Sequence, residues 1–393
     1  MKIYRSVLFI LILFIISACG SKEIRYEKVI VKQKTVKTIE PVKKIEKFKP
    51  KPAVKKKPSK KIVVTISGVG DIMLGTNFPK EPNYLPPDDG KKLLVDVKPF
   101  FKGSDIVFGN LEGPLLDGGT NFKNCKKCFS FKVPEHYVKH LVDAGFNLLS
   151  LANNHSGDFG PIGRDKTSEI LTRNKIEYAG TIKQPYKTFT KNGIKYGFSA
   201  FAPNYGTPDL REIEKACAIV KELSKVSDIV IVSFHGGAEG ADNRNVTRKD
   251  EIFYGESRGN VYDFSHKVID AGADVVFGHG PHITRAVELY KGRFIAYSLG
   301  NFCTYARFNL LGLNGIAPLI TLKTDKNGKF LSGKIISLIQ PFKKGPVQDK
   351  ASGAINEIIE LTQKDFPLTC LDIKKDGTII LKPKKSAENL KEK

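Results

Sequence analysis

This 393-residue chain has little apolar sequence of any length. Its one extended apolar run, Val7–Ile16, is far shorter than the roughly 20 residues a membrane-spanning helix needs. Cysteine is scarce, with six residues, and none falls in the polar motifs described below. That argues against a closed structural zinc site, which is built largely from thiolates. There is no internal repeat. No RNA- or DNA-binding motif accompanies the basic charge, so nucleic acid is not an expected partner. Histidine numbers only seven, which makes its placement informative.

The formal net charge of +23 is concentrated near the N-terminus. Residues 21–61 hold sixteen Lys/Arg and four Glu, hence +12, with Pro41, Pro50, Pro52 and Pro58 and no sustained apolar period. Such a segment cannot bury enough surface to fold. It reads as an extended linker (19–61), either a plain spacer or an electrostatic tether to anionic lipid or cell-wall polymer. Before it, Lys2 and Arg5 precede the apolar run, and Ile16-Ser17-Ala18-Cys19 looks like a bacterial lipobox. The expectation is a lipoprotein signal peptide (1–18), lipidation of Cys19, and a protein of the cell envelope, extracytoplasmic and held to a membrane by lipid. The remaining +9 is spread over 62–393, a surface suited to anionic substrates.

Residues 62–383 alternate strand-like and helix-like segments, with a flexible tail expected over 384–393. Strands are expected at Ile62–Ser67, Asp105–Gly109, Phe146–Leu151, Asp228–Phe234 and Asp274–Phe277. Helices are expected at Lys91–Phe101, Glu135–Ala144, Gly163–Asn174, Asp209–Lys225 and Tyr262–Ala271. Hairpins are expected at Asn192-Gly193, Lys291-Gly292 and Asn327-Gly328. This order implies an α/β fold with a mostly parallel or mixed sheet, which binds ligands beyond the carboxyl ends of its strands.

Polar motifs follow five of those strands: Gly70-Asp71, Gly109-Asn110-Leu111-Glu112, Asn153-Asn154-His155, His235-Gly236-Gly237 and Gly278-His279-Gly280-Pro281-His282. Four of the seven histidines lie there; His136, His140 and His266 read as helix-surface residues. Imidazoles and carboxylates suit divalent Mn, Zn or Fe, one ion or two about 4 Å apart, able to activate water for attack at phosphorus. Asp158 and Glu239 could orient a histidine or be plain loop carboxylates. Arg164 could hold an anion or cap a helix. Arg244, Arg248 and Arg258 lie in a loop, 236–260, long enough for a lid or simply a solvated surface. Cys125 and Cys128 form a C-x-x-C most simply read as a local disulfide. Cys217, Cys303 and Cys370 have no evident partner.

At Gly70–Gly75, Gly109–Pro114, Ser150–His155, Ser233–Gly237, Gly278–His282 and Tyr297–Phe302 the chain resembles the CapA-type (poly-γ-glutamate capsule synthesis) proteins, a branch of the calcineurin-like metallophosphoesterase superfamily. The resemblance implies a four-layer αββα sandwich with the site at one edge of the sheets. It implies Asp71 and His282 on a first metal, Asn154, His235 and His279 on a second, and His155 as the catalytic imidazole. Two positions depart from the superfamily pattern. Met73 stands where a histidine ligand is usual, and Asn110 where a bridging aspartate is usual, so Glu112 is the expected bridge. An acidic polymer or phosphoester is the implied substrate, and capsule-synthesis proteins the implied partners. The alternative is a polyanion-binding or anchoring protein without turnover.

Overall fold

Val63, Val64, Thr65 and Ile66 open a strand that runs to Met73, six residues beyond the expected end. It continues because Gly68 and Gly70 let other chain segments press against its backbone. A Cβ at Gly68 would meet the Phe277 ring at 2.7 Å, and one at Gly70 would strike the Gly300 carbonyl. In the computed structural model, which describes residues 62–80, 84–123 and 129–383, this strand is central. The signal peptide, the linker with Cys19, the Cys125/Cys128 pair and the tail all lie outside the described residues.

The strands are β1 (Val63–Met73), β2 (Ile106–Leu111), β3 (Leu148–Ser150), β4 (Glu177–Ala179), β5 (Tyr186–Lys191), β6 (Ile194–Phe201), β7 (Ile229–His235), β8 (Ile252–Phe253), β9 (Glu256–Ser257), β10 (Val275–His279), β11 (Val287–Tyr290), β12 (Arg293–Ala296), β13 (Asn301–Thr304), β14 (Ile316–Asp325), β15 (Phe330–Ile339), β16 (Val347–Gln348), β17 (Leu371–Ile373) and β18 (Thr378–Leu381). The helices are α1 (Val138–Ala144), α2 (Gly160–Arg173), α3 (Ile213–Val226), α4 (Val261–Asp270) and α5 (Gly353–Asp365). One sheet runs β17-β18-β15-β14-β1-β2-β3-β4, with β13 also on β1 and β16 on β15. The other runs β11-β12-β10-β7-β6-β5, and β8 pairs β9 apart from both.

Three apolar clusters define four layers. Between the sheets, Val64, Ile66 and Phe108 meet Phe198, Ile231 and Phe277, with Phe108 stacked on Phe277 at 5.1 Å. On the outer face of the first sheet, Val107 and Leu149 share a cluster with Leu141 of α1 and Ile170 and Leu171 of α2. On the outer face of the second, Val230 and Val232 share one with Val220 of α3 and Phe264 and Val268 of α4. Helices therefore cover each sheet from outside, giving the αββα order. No helix of the described residues is long and apolar enough to cross a membrane.

The three hairpins form, with Asn192, Gly193, Lys291 and Gly292 all at positive φ. The helix expected over Lys91–Phe101 does not. That stretch is irregular until a short 3-10 turn at Lys98–Phe101, because Pro99 lacks an N–H and disfavours α geometry at the residue before it. Its Leu93, Leu94, Val97 and Phe101 are buried all the same. Two of the three histidines read as helix-surface residues are placed otherwise. His140 is buried with Nε2 2.7 Å from the Asp89 carbonyl oxygen, and His266 lies between Tyr262 and Tyr290 with Nε2 2.9 Å from Glu288. His136 is exposed, 2.6 Å from Asp89.

Candidate metal centre

The parallel strands set the site out in rows. Asp71 pairs with Asn110 on one side of β1 and with Asn301 of β13 on the other. In the second sheet His235 and His279 are partners at the ends of β7 and β10. His235 and His279 are thus the last residues of their strands, Asp71 and Asn110 lie within two residues of the ends of theirs, and Glu112, Asn154, His155 and His282 lie in the loops beyond.

These residues converge. Asp71 Oδ1 lies 3.0 Å from His279 Nδ1, and its Oδ2 lies 3.0 Å from His282 Nδ1. Glu112 Oε1 lies 3.4 Å from His235 Nε2 and 3.5 Å from His282 Nε2. Ligand atoms of Glu112, His235 and His282 all fall within 4.8 Å of one another. Asp71, Glu112 and His279 are fully buried and His235 nearly so.

Asn110 is occupied as a donor. Its Nδ2 donates to Asp71 Oδ1 at 2.9 Å, and its Oδ1 accepts from Asn153 Nδ2 at 3.0 Å. Asn153, for which the sequence supplied no role, also donates to the Leu111 carbonyl and accepts from the N–H groups of His155 and Ser156. It thereby fixes the loop that carries Asn154 and His155. Met73 joins the apolar cluster behind the site. Asn301, likewise unassigned from sequence, donates to the His282 carbonyl at 3.1 Å and holds that histidine's strained backbone, φ +57°.

Six buried atoms here have no hydrogen-bond partner: both carboxylate oxygens of Glu112, Oδ1 of Asn154, both ring nitrogens of His235 and Nε2 of His279. Each unsatisfied buried polar group costs about 1–3 kcal/mol, so such a concentration in one place is expensive for an empty fold. The Glu112 oxygens, Asn154 Oδ1, His279 Nε2 and one of the two His235 nitrogens (the other keeps the ring N–H) are ligand types that suit a divalent cation of borderline hardness.

Electrostatics agree. Burial pushes Glu112 up to about 7 and His235 down to about 4. Burial opposes charge on Asp71 too, but hydrogen bonds from His279 and His282 outweigh it and hold that carboxyl far below the usual range. His282 goes the other way: the carboxylates of Glu112 and Asp71 overcome its burial and raise it to about 10.

His155 stands beside this cluster with its Nδ1 2.8 Å from Asp158 Oδ2. Asp158 is fully buried, accepts from the Phe131 N–H at 2.7 Å, and forms an ion pair of 2.5 Å with Lys123, a residue sequence reasoning missed. Phe131 packs on the His155 ring at 4.2 Å, and Phe308 sits 5.4 Å from the His282 ring. Glu239 orients no histidine; it faces Arg258 at 3.6 Å. Arg164 lies over Tyr205. Arg244 and Arg248 tie the 236–260 loop to α5 and its end through Glu357, Glu360 and the Asp365 carbonyl.

A profile of the family described as "Bacterial capsule synthesis protein PGA_cap" matches residues 65–306, every cluster residue included. The chain belongs to that family. It is 29% identical over 270 residues to the capsule biosynthesis protein CapA of Bacillus anthracis, covering 63% of this chain and 61% of that protein. It is 31% identical over 256 residues to the PGA biosynthesis protein CapA of Bacillus subtilis, covering 61% and 63%. The chain thus spans about three fifths of the length of these curated relatives. A solved structure of a putative 5'-nucleotidase from Staphylococcus aureus in complex with alpha-ketoglutarate superposes with TM-score 0.39 and 13% identity, over 73% of this chain and 53% of that one.

Proposed function

We propose that this protein is a metal-dependent hydrolase of the bacterial cell envelope that acts in the handling of an acidic capsule polymer of poly-γ-glutamate type. The observation that carries the reading is the set of buried polar atoms of Glu112, Asn154, His235 and His279 without a hydrogen-bond partner, gathered at the strand ends beside His155. Glu112, His235 and His282 would hold one ion of Mn, Zn or Fe, and Asp71, Asn154 and His279 would complete the site for it or for a second. Such an ion supplies an activated water and polarises the oxygen under attack.

The chain's own groups do the rest. Asp158 engages Nδ1 of His155, which leaves Nε2 as the atom available to substrate. Burial lowers the His155 pKa, with Asp158 partly restoring it, so the ring is neutral near pH 7 and can accept or return a proton. Phe131 and Phe308 exclude water from the imidazoles.

Lipidation of Cys19 would anchor the protein outside the cytoplasm, with the basic residues 21–61 as spacer or tether. Capsule-synthesis proteins are the partners this role calls for. Met73, a buried apolar side chain where a ligand is usual, favours the second reading: polymer binding or anchoring without turnover.

Assays of the Mn-loaded protein on a generic phosphodiester and on a γ-linked glutamate polymer separate the two. Hydrolysis of either, reduced at least about 100-fold by His155→Ala, supports the enzyme. Polymer binding with no turnover of either, indifferent to His155→Ala, establishes the second reading instead.

A further inference from the structure

Arg211, Arg244, Arg258, Arg285 and Arg293 each face a carboxylate within 3.6 Å. Among the described residues Arg307, like Arg164 and Arg248, faces no carboxylate, and of these three it shares an aromatic wall with the His155 ring. Its guanidinium is held instead by aromatic rings, 4.8 Å from Phe129, 4.9 Å from Tyr84 and 6.0 Å from Phe131, and by one hydrogen bond from Nη1 to the Phe78 carbonyl at 3.2 Å. A guanidinium has five N–H donors, so most remain unused.

Its position gives the unused donors a purpose. Phe131, which carries the Arg307 guanidinium, also carries the His155 imidazole at 4.2 Å and stacks on Phe308 at 5.1 Å. Phe308 in turn packs on His282. One aromatic wall therefore joins an unpaired, half-buried arginine to the catalytic imidazole and to a metal ligand. Stacking removes rotamer freedom, so little is lost when the fork closes on a planar oxyanion. The Lys123 charge beside the same wall is already met by Asp158, which leaves Arg307 as the receiver.

We propose that Arg307 is the centre of an oxyanion subsite that takes a carboxylate or phosphate group of the substrate chain beside the bond to be cut. This rests on the polymer reading above for its ligand, not for its geometry. Carboxylate and phosphate share the fork chemistry, and the test separates them.

The Mn-loaded full chain is titrated calorimetrically with a γ-linked glutamate hexamer and, separately, with inorganic phosphate, as wild type, Arg307→Gln and Arg307→Lys. The expected result is hexamer affinity about tenfold weaker in Arg307→Gln, only partly regained in Arg307→Lys, with bound metal unchanged. Arg307-dependent binding of phosphate alone sustains the subsite and overturns the polymer reading. Hexamer binding that is equal in all three proteins overturns the subsite and leaves the polymer reading standing. Binding of neither probe by wild type overturns both. If Arg307→Gln unfolds early, Arg307→Lys against wild type decides: equal affinity for both probes overturns the subsite.

Discussion

A divalent cation held at this centre would compete with protons for the same atoms. With Glu112 near pKa 7 and His282 near 10, both must be deprotonated to ligate. Both shifts are upward, so metal affinity falls as pH falls. Calorimetry in buffers of differing ionisation enthalpy should find about one proton released per ion near pH 8–9 and about two near pH 5–6. A release that does not vary with pH would remove Glu112 from the ligand set. In the proposed mechanism Asp158 acts through its contact with His155 Nδ1, so Asp158→Asn should lower kcat on any substrate turned over by about 10–100-fold while metal content holds. An unchanged kcat would mean that Asp158 only braces the Phe131 N–H. Asn153 holds four backbone and side-chain groups at once, and Asn153→Ala should cost at least about 2 kcal/mol in urea unfolding.

Among the elements, the loop 236–260 is fastened rather than free. Arg285 is fully buried and meets both carboxylate oxygens of Glu251, at 3.1 and 2.9 Å, and the Ala238 carbonyl. Glu251 in turn accepts from the Ala238 N–H at 2.8 Å. Breaking a buried pair strands a charge, so Glu251→Gln or Arg285→Met should each destabilise by about 3–5 kcal/mol. The double change Glu251→Leu/Arg285→Met should cost less than the two single changes together, measured by denaturant midpoints. Additive losses would show that the charges are not coupled. Nothing in the sequence marks this pair, because Glu251 and Arg285 lie in different segments and no period links them. By contrast the strand ends were legible, since β-branched runs followed by Gly beside Asp, Asn or His leave few other readings. The failed helix at Lys91–Phe101 shows the limit: apolar spacing reports which residues are buried, and Pro99 decides the backbone.

At the scale of the whole molecule, two sheets meet so that one contributes Asp71 and Glu112 and the other His235 and His279. An ion at that seam ties the sheets together. Metal present at about 100 times its Kd should therefore raise unfolding stability by about 2.7 kcal/mol, lost on chelation. The two-sheet architecture was readable only through the resemblance. Strand and helix order alone gives an α/β fold but not its division into two sheets, because which strands pair is settled by long-range packing such as Phe108 on Phe277. The most direct test of the centre is the metal content of the purified full chain, by mass spectrometry after equilibration with Mn or Zn, for wild type, Glu112→Gln and His235→Ala. The expected result is one or two ions per chain in wild type and loss of at least one in each variant. Wild type without metal, or variants that keep all of it, would contradict a metal centre at these strand ends.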